Sequence, residues 1–107
     1  MKRNTIKYEK LVRDKIPEII ESSGKKAIVE VLNAQKYQKY LNIKLKEEMQ
    51  EYQESDSVEE LADLVEVIYA LLDYKGVTLE QFEKIRYDKF VQRGGFRKRL
   101  LLKEVEE

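Results

Sequence analysis

The sequence predicts a mainly α-helical fold, a helical bundle to which residues 27–32 and 98–103 add a short two-stranded β element. Three observations carry that reading. Apolar residues recur at i, i+3, i+4 spacing across two long stretches, 37–52 and 61–72. Residues that start helices (Asn33, Ser57, Thr78) and stop them (Gly24, Gly76, Gly94-Gly95) fall at the ends of the periodic stretches. The chain is 39% charged and 42% hydrophobic, a balance that suits amphipathic helices with densely charged outer faces.

Residues 1–13 read as an irregular or extended arm, with Ile6, Tyr8, Leu11 and Val12 among charges. Asp14 is placed to cap a short helix over 15–22, where Ile16, Ile19 and Ile20 form one stripe and Pro17 occupies the first turn. Ser22-Ser23-Gly24 ends it. The weak alternation and branched side chains of AIVEVL at 27–32 predict a strand, and the tail FRKRLLLKEV offers it a partner. Asn33 caps a long helix to about Glu54, carrying Tyr37, Tyr40, Leu41, Leu45, Met49 and Tyr52 at helical spacing. Ser55-Asp56-Ser57 breaks it. A second long helix follows over about 57–75, with Ser57 and Glu60 in capping-box spacing and Gly76 as the stop. Thr78 caps a third, with Leu79, Phe82, Ile85 and Phe90 as apolar positions, closed by Gly94-Gly95. With 107 residues and no linker or repeat, the chain reads as one domain, 1–107. A domain this small buries a modest share of its surface, and a homo-oligomer sharing apolar helix faces relieves that shortage.

Lys plus Arg and Asp plus Glu each number 21, for a net charge of zero. A dedicated nucleic-acid binder would carry a positive excess, since phosphate neutralisation supplies most of its affinity. Charge is unevenly spread all the same: the N-terminal segment and 84–99 lean basic, and 47–66 leans acidic. There is no Cys and no His, which excludes disulfides, zinc fingers, a Cys nucleophile and a His base. Any metal must be held by oxygen, which favours Mg²⁺ or Mn²⁺ over Ca²⁺. Residues 1–15 lack the apolar run of a signal peptide, and no stretch approaches the ~20 apolar residues of a membrane span. The expected setting is soluble and cytoplasmic, with no membrane partner and no nucleic acid.

Charged residues on a helix normally face solvent, so carboxylates that do not are informative. On the first long helix Glu48 lies one turn from Leu45 and from Tyr52, among the apolar residues, with Glu51 a turn later at the stripe's edge. On the next, Glu60 falls between the bearings of Val67 and Leu71, and Asp63 lies at the margin. One such pair usually means a solvated face, and a capping role competes for Glu60. Two pairs on consecutive helices, each invading the apolar stripe, point further. If the short link makes the helices antiparallel, four anions converge where desolvation is costly. A divalent cation with oxygen ligands compensates them and gives the arrangement a purpose.

The pattern KLKEEMQEY followed by EELADLVEVIYAL resembles the E-E-x-x-E … E-x-x-D signature of the MazG-like, all-α nucleotide pyrophosphohydrolases. The opening YEKLVRDKIPEII and the later RGGF are similar to those of a MazG-like subgroup labelled phosphoribosyl-ATP pyrophosphohydrolase-like. The resemblance runs from about Tyr8 to Leu102. It implies a helical bundle of the all-α NTP pyrophosphatase type, assembled as a dimer or tetramer with the active site near a subunit interface. It also implies Mg²⁺-dependent hydrolysis of a nucleoside triphosphate between the α- and β-phosphates, giving a monophosphate and pyrophosphate. Glu48, Glu51, Glu60 and Asp63 match the metal-binding positions. Glu47 matches the first Glu of the motif, as a residue that orients a ligand or the attacking water, so Glu47 and Glu48 are the candidate catalytic carboxylates. The KLVRDKIPEII segment sets the chain apart from the histidine-pathway enzyme.

Basic residues must also meet the triphosphate. Arg93 with Gly94-Gly95 comes first, since paired glycines let backbone N–H groups approach an anion. Lys89 lies one turn earlier on the same face, and Lys10, Arg13 and Lys15 follow. Two other classes stay open: a non-catalytic nucleotide-sensing or helical interaction protein with a structural Mg²⁺ site, and a binder of single strands using KIRYDKFVQRGGFRKR at 84–99.

Overall fold

Two long helices form where the apolar spacing is helical, and they pack side by side. The computed structural model describes residues 4–107, and among them it holds four helices and no strand. These are α1 (Ile16–Ser22), α2 (Ala34–Ser55), α3 (Val58–Tyr74) and α4 (Leu79–Arg93). The fold is all-α. Most packing between helices lies along the α2–α3 seam, with a smaller junction between α3 and α4. Tyr37 near the start of α2 meets Tyr74 at the end of α3 edge to face, with ring centroids 5.9 Å apart. The two helices are therefore antiparallel, and their connection brings the second half of α2 beside the first half of α3.

The helix ends follow local chemistry, with two departures from the sequence expectation. Asn33 caps α2 by accepting from the Lys36 N–H at 2.9 Å. Thr78 and Gln81 form a complete capping box on α4. Behind α3, Gly76 adopts a left-handed φ of 73° while Val77 N–H bonds to Leu72 O and Gly76 N–H to Asp73 O. That pair of bonds closes the helix in a Schellman motif, which needs the glycine. Asp14 does not cap α1; Lys15 holds the cap position and makes no side-chain bond. Nor does Ser57 form a capping box with Glu60, because its hydroxyl donates to Glu59 Oε2 at 2.7 Å. The tight link is made by Asp56 instead, a non-glycine residue with φ 54°, whose N–H closes on Tyr52 O.

The expected two-stranded element over 27–32 and 98–103 is absent among the described residues. Ile28 and Val31 stand exposed, and so do Leu100, Leu101 and Leu102. Branched side chains favour extended backbone but cannot make a strand without a partner ladder. In the tail, Arg99 turns back with φ 58° and its N–H reaches Phe96 O.

Among the described residues only Leu41 on α2 and Val67 on α3 are buried apolar residues, at 2% and 8% exposure. Met49, Leu61 and Val65, expected along the apolar stripes, lie exposed in the single chain. The molecule extends 72 × 31 × 25 Å with a radius of gyration of 19.1 Å, against about 13 Å for a compact chain of this length. Its surface of 10694 Å² compares with about 6,300 Å² for a folded monomer of the same mass. No helix is long and apolar enough to cross a membrane among the described residues.

The caps give a direct test. Thr78→Ala should lower stability to urea by about 1 kcal/mol, as expected for a helix losing its N-cap. Ser57→Ala should cost less than about half of that, because its hydroxyl satisfies no helix N–H. Equal losses would contradict the assignment.

Candidate metal centre

The short link brings Glu48 of α2 next to Glu60 and Asp63 of α3. Oxygens of Glu48, Glu60 and Asp63 lie within 4.8 Å of one another, and so do oxygens of Glu47, Glu48 and Glu51. Glu48 belongs to both groups. It is 5% exposed, the one buried charged residue among those described. Lys44, one turn earlier on α2, approaches Glu48 Oε1 at 3.3 Å and Glu47 Oε1 at 3.6 Å. The other oxygen, Glu48 Oε2, is buried with no hydrogen-bond partner, and Glu60 Oε2 shares that condition. A buried carboxylate oxygen without a donor costs the full desolvation of that atom, so these two oxygens are the unsatisfied feature of the cluster.

Electrostatics follow from the crowding. Burial pushes the Glu48 carboxyl above its ordinary value, with the neighbouring Glu51 adding to it and Lys44 opposing it. Glu60 is likewise raised, first by desolvation and then by the charges of Asp63 and Glu48. Lys10 from the N-terminal arm pairs with Glu47 at 3.1 Å, and that contact raises the ammonium above its ordinary value. Arg13 pairs with Asp63. A cleft of about 280 Å³ opens here, lined by Val12, Arg13, Ile16, Lys44, Glu48 and Asp63.

The donor set fits a hard divalent cation. It is carboxylate only, the donor type that Mg²⁺ and Mn²⁺ prefer, and three of its oxygens lie within 4.8 Å of one another, close enough for the side chains to converge on one ion. Each of the two unpartnered oxygens would gain a positive neighbour. Of the acids picked out by their place on the helix wheels, Glu48, Glu60 and Asp63 form one group, and Glu51 joins Glu48 in the other, together with Glu47. The failed capping box removes the competing explanation for Glu60, whose side chain turns into the seam.

The basic candidates divide. Arg13 lies at the cleft. Lys15 occupies the N-cap position of α1 without a side-chain bond and pairs with none of the clustered acids among the described residues. Lys89 and Arg93 are exposed on the last turns of α4 and line no part of this cleft. Gly94 adopts φ 82°, ψ −177° and spends its N–H on Phe90 O at 2.8 Å, so it serves the helix end and not an anion. Gly95 is packed against Phe90, where an added Cβ would meet the ring at 3.3 Å. Lys44 was missed in the sequence. Its signal was there in the i, i+3 and i, i+4 spacing to Glu47 and Glu48.

The raised carboxyls have a stability consequence. A carboxyl that holds its proton more tightly when folded stabilises the fold below its unfolded value, and that contribution is lost as pH rises through the folded value. In EDTA, Glu48→Gln should therefore melt above wild type near neutral pH. The gap should close as pH falls toward the ordinary carboxylate range, about 4. A variant that melts lower at every pH would show Glu48 to be a net stabilising partner of Lys44. Comparison of the chain with family models, with curated proteins and with solved structures finds no match in any of the three.

Proposed function

We propose that the protein is a Mg²⁺-dependent nucleotide pyrophosphohydrolase of the MazG-like, all-α NTP pyrophosphatase type, with Mn²⁺ as an alternative ion. The observation that carries this reading is Glu48: buried, shared by two carboxylate groups, and with one oxygen lacking any donor. A purely structural ion-pair network would have placed a donor on that oxygen, since a partly satisfied buried network is worse than none. The order of motifs in the sequence supplies the reaction class.

In this reading Glu48, Glu51, Glu60 and Asp63 hold the cation, and Mg²⁺ when bound neutralises phosphate charge and activates water. Cleavage between the α- and β-phosphates needs positioning and charge neutralisation more than covalent work. A water oxygen replaces the bridging oxygen on one phosphorus, and the bridging oxygen leaves with the other product. Glu47, at the rim of the cluster, orients that water, and the proton it sheds passes to a carboxylate, Glu47 or Glu48. The products are a nucleoside monophosphate and pyrophosphate, and the role is house-cleaning of the nucleotide pool in the cytoplasm.

The large bare surface supports assembly as a homodimer or homotetramer. The excess over a compact monomer, roughly 4,400 Å² per chain, exceeds the roughly 1,000–2,500 Å² that each partner gives to an obligate interface. Assembly also offers Lys89 and Arg93 a route to the phosphates of a neighbouring copy's site. A second reading, a nucleotide sensor with a structural ion, draws on the three basic groups already paired to the acids.

A pyrophosphate-release assay over a panel of nucleoside triphosphates, with Mg²⁺, Mn²⁺ or EDTA, tests the reaction. Metal-dependent release with a monophosphate product is expected, and Glu60→Gln should reduce it by roughly two orders of magnitude or more. Metal binding without turnover of any triphosphate would favour the sensor. Light scattering behind size exclusion should give two or four times 12.8 kDa. A 12.8 kDa species at micromolar concentration would contradict assembly.

A further inference from the structure

The N-terminal arm lies across the carboxylate cluster and is held there by charge. No residue of 4–12 takes part in a backbone–backbone hydrogen bond among the described residues. The arm's ties are Lys10 to Glu47 and Arg13 to Asp63, and Val12 and Arg13 form one wall of the 280 Å³ cleft. Both ion pairs are partly exposed, so they are screened and weak individually. Arg13 engages an oxygen-bearing group of the same triad that contains the two unpartnered oxygens, Glu48 Oε2 and Glu60 Oε2. A guanidinium and a divalent cation cannot both claim Asp63 at full strength. Lys44 differs, since it sits on α2 itself, is largely covered, and bridges Glu47 and Glu48 from within the helix.

The geometry points to Arg13 and Lys10 as exchangeable counter-ions: the divalent cation displaces Arg13 from Asp63 and, by neutralising Glu48 and Glu51 beside Glu47, loosens the hold on Lys10, and the two groups then bind the triphosphate. This rests on the metal-centre reading above and adds an ordered coupling between the two ligands. Before the cation arrives, the arm's charges are spent on the acids and the cleft has little positive potential for an anion. Once the cation takes its ligands, the guanidinium stands at the cleft without a partner, and the ammonium nearby faces a less negative cluster. A planar guanidinium suits phosphate oxygens in the same bidentate way that it suits a carboxylate. Because only side chains tether residues 4–12, the arm can follow its charges without breaking any secondary structure. Cation and triphosphate thus bind with positive cooperativity that runs through Arg13 and Lys10.

The test separates two affinities. Mn²⁺ binding to the full chain is followed by the loss of the free-ion electron paramagnetic resonance signal, at 0.15 M salt, for wild type, Arg13→Gln and Lys10→Gln. Lys103→Gln, in the tail, serves as a control with the same change in net charge. Removing a competing partner should tighten Mn²⁺ binding about two- to fivefold in Arg13→Gln, with no change in the control. An α,β-methylene triphosphate analogue, added with saturating Mn²⁺, should bind more weakly to Arg13→Gln and Lys10→Gln than to wild type. Tighter metal together with weaker triphosphate is the expected signature. Unchanged or weaker Mn²⁺ binding in Arg13→Gln overturns the exchange, as does undiminished analogue binding. A wild-type protein that takes up no Mn²⁺ defeats the metal-centre reading itself, which is a different failure.

Discussion

Burying a carboxylate between two helices is expensive, and this molecule does so at Glu48. The position lies on the seam that joins α2 to α3, where Leu41 and Val67 supply the buried apolar side chains. Lys44 covers one oxygen of Glu48 and leaves the other without a donor. Around that deficit the neighbouring features fall into place. Glu60 is turned into the seam and not toward a capping position, Glu51 and Asp63 flank it, and the basic arm is drawn over the top. Such a site is poorly satisfied by protein groups alone, and the unsatisfied part is all oxygen and all negative.

Much of this was legible in the sequence, for reasons that can be traced to residues. Helical spacing exposed α2, α3 and α4, and Asn33, Thr78 and Gly76 marked their ends because each answers a local demand of the backbone. Glu48 and Glu60 betrayed themselves by bearing, since a helix wheel fixes which face a side chain shares. Their convergence depended only on a short link, and Asp56 makes that link tight enough. Where only the backbone and its nearest neighbours decide, the chain speaks plainly.

The misses have the opposite character. A strand at 27–32 requires a partner at a distance, and nothing local to AIVEVL reveals whether the tail reaches it. Ser57 with Glu60 had the spacing of a capping box, but the seam competed for Glu60 and Glu59 took the hydroxyl. Of the backbone donors expected for an anion at Gly94-Gly95, the Gly94 N–H is spent on closing the last turn of α4. Lys44 escaped notice because a lysine a turn before two glutamates is commonplace on a solvated face, and only the burial of Glu48 makes it matter. Met49, Leu61 and Val65 lie on the apolar stripes, and one chain alone leaves them bare.

The dominance of the α2–α3 seam also bears on how the chain reaches its native state. Its tertiary packing is mostly that of one helical hairpin whose halves are adjacent in sequence, and short-range topologies of this kind close quickly because little loop entropy opposes them. Both carboxylate pairs belong to that hairpin. The carboxylate cluster therefore comes with the hairpin and asks nothing of α4 or the tail. Bringing the two helices together also brings their acids together, so closing the hairpin works against the mutual repulsion of those acids.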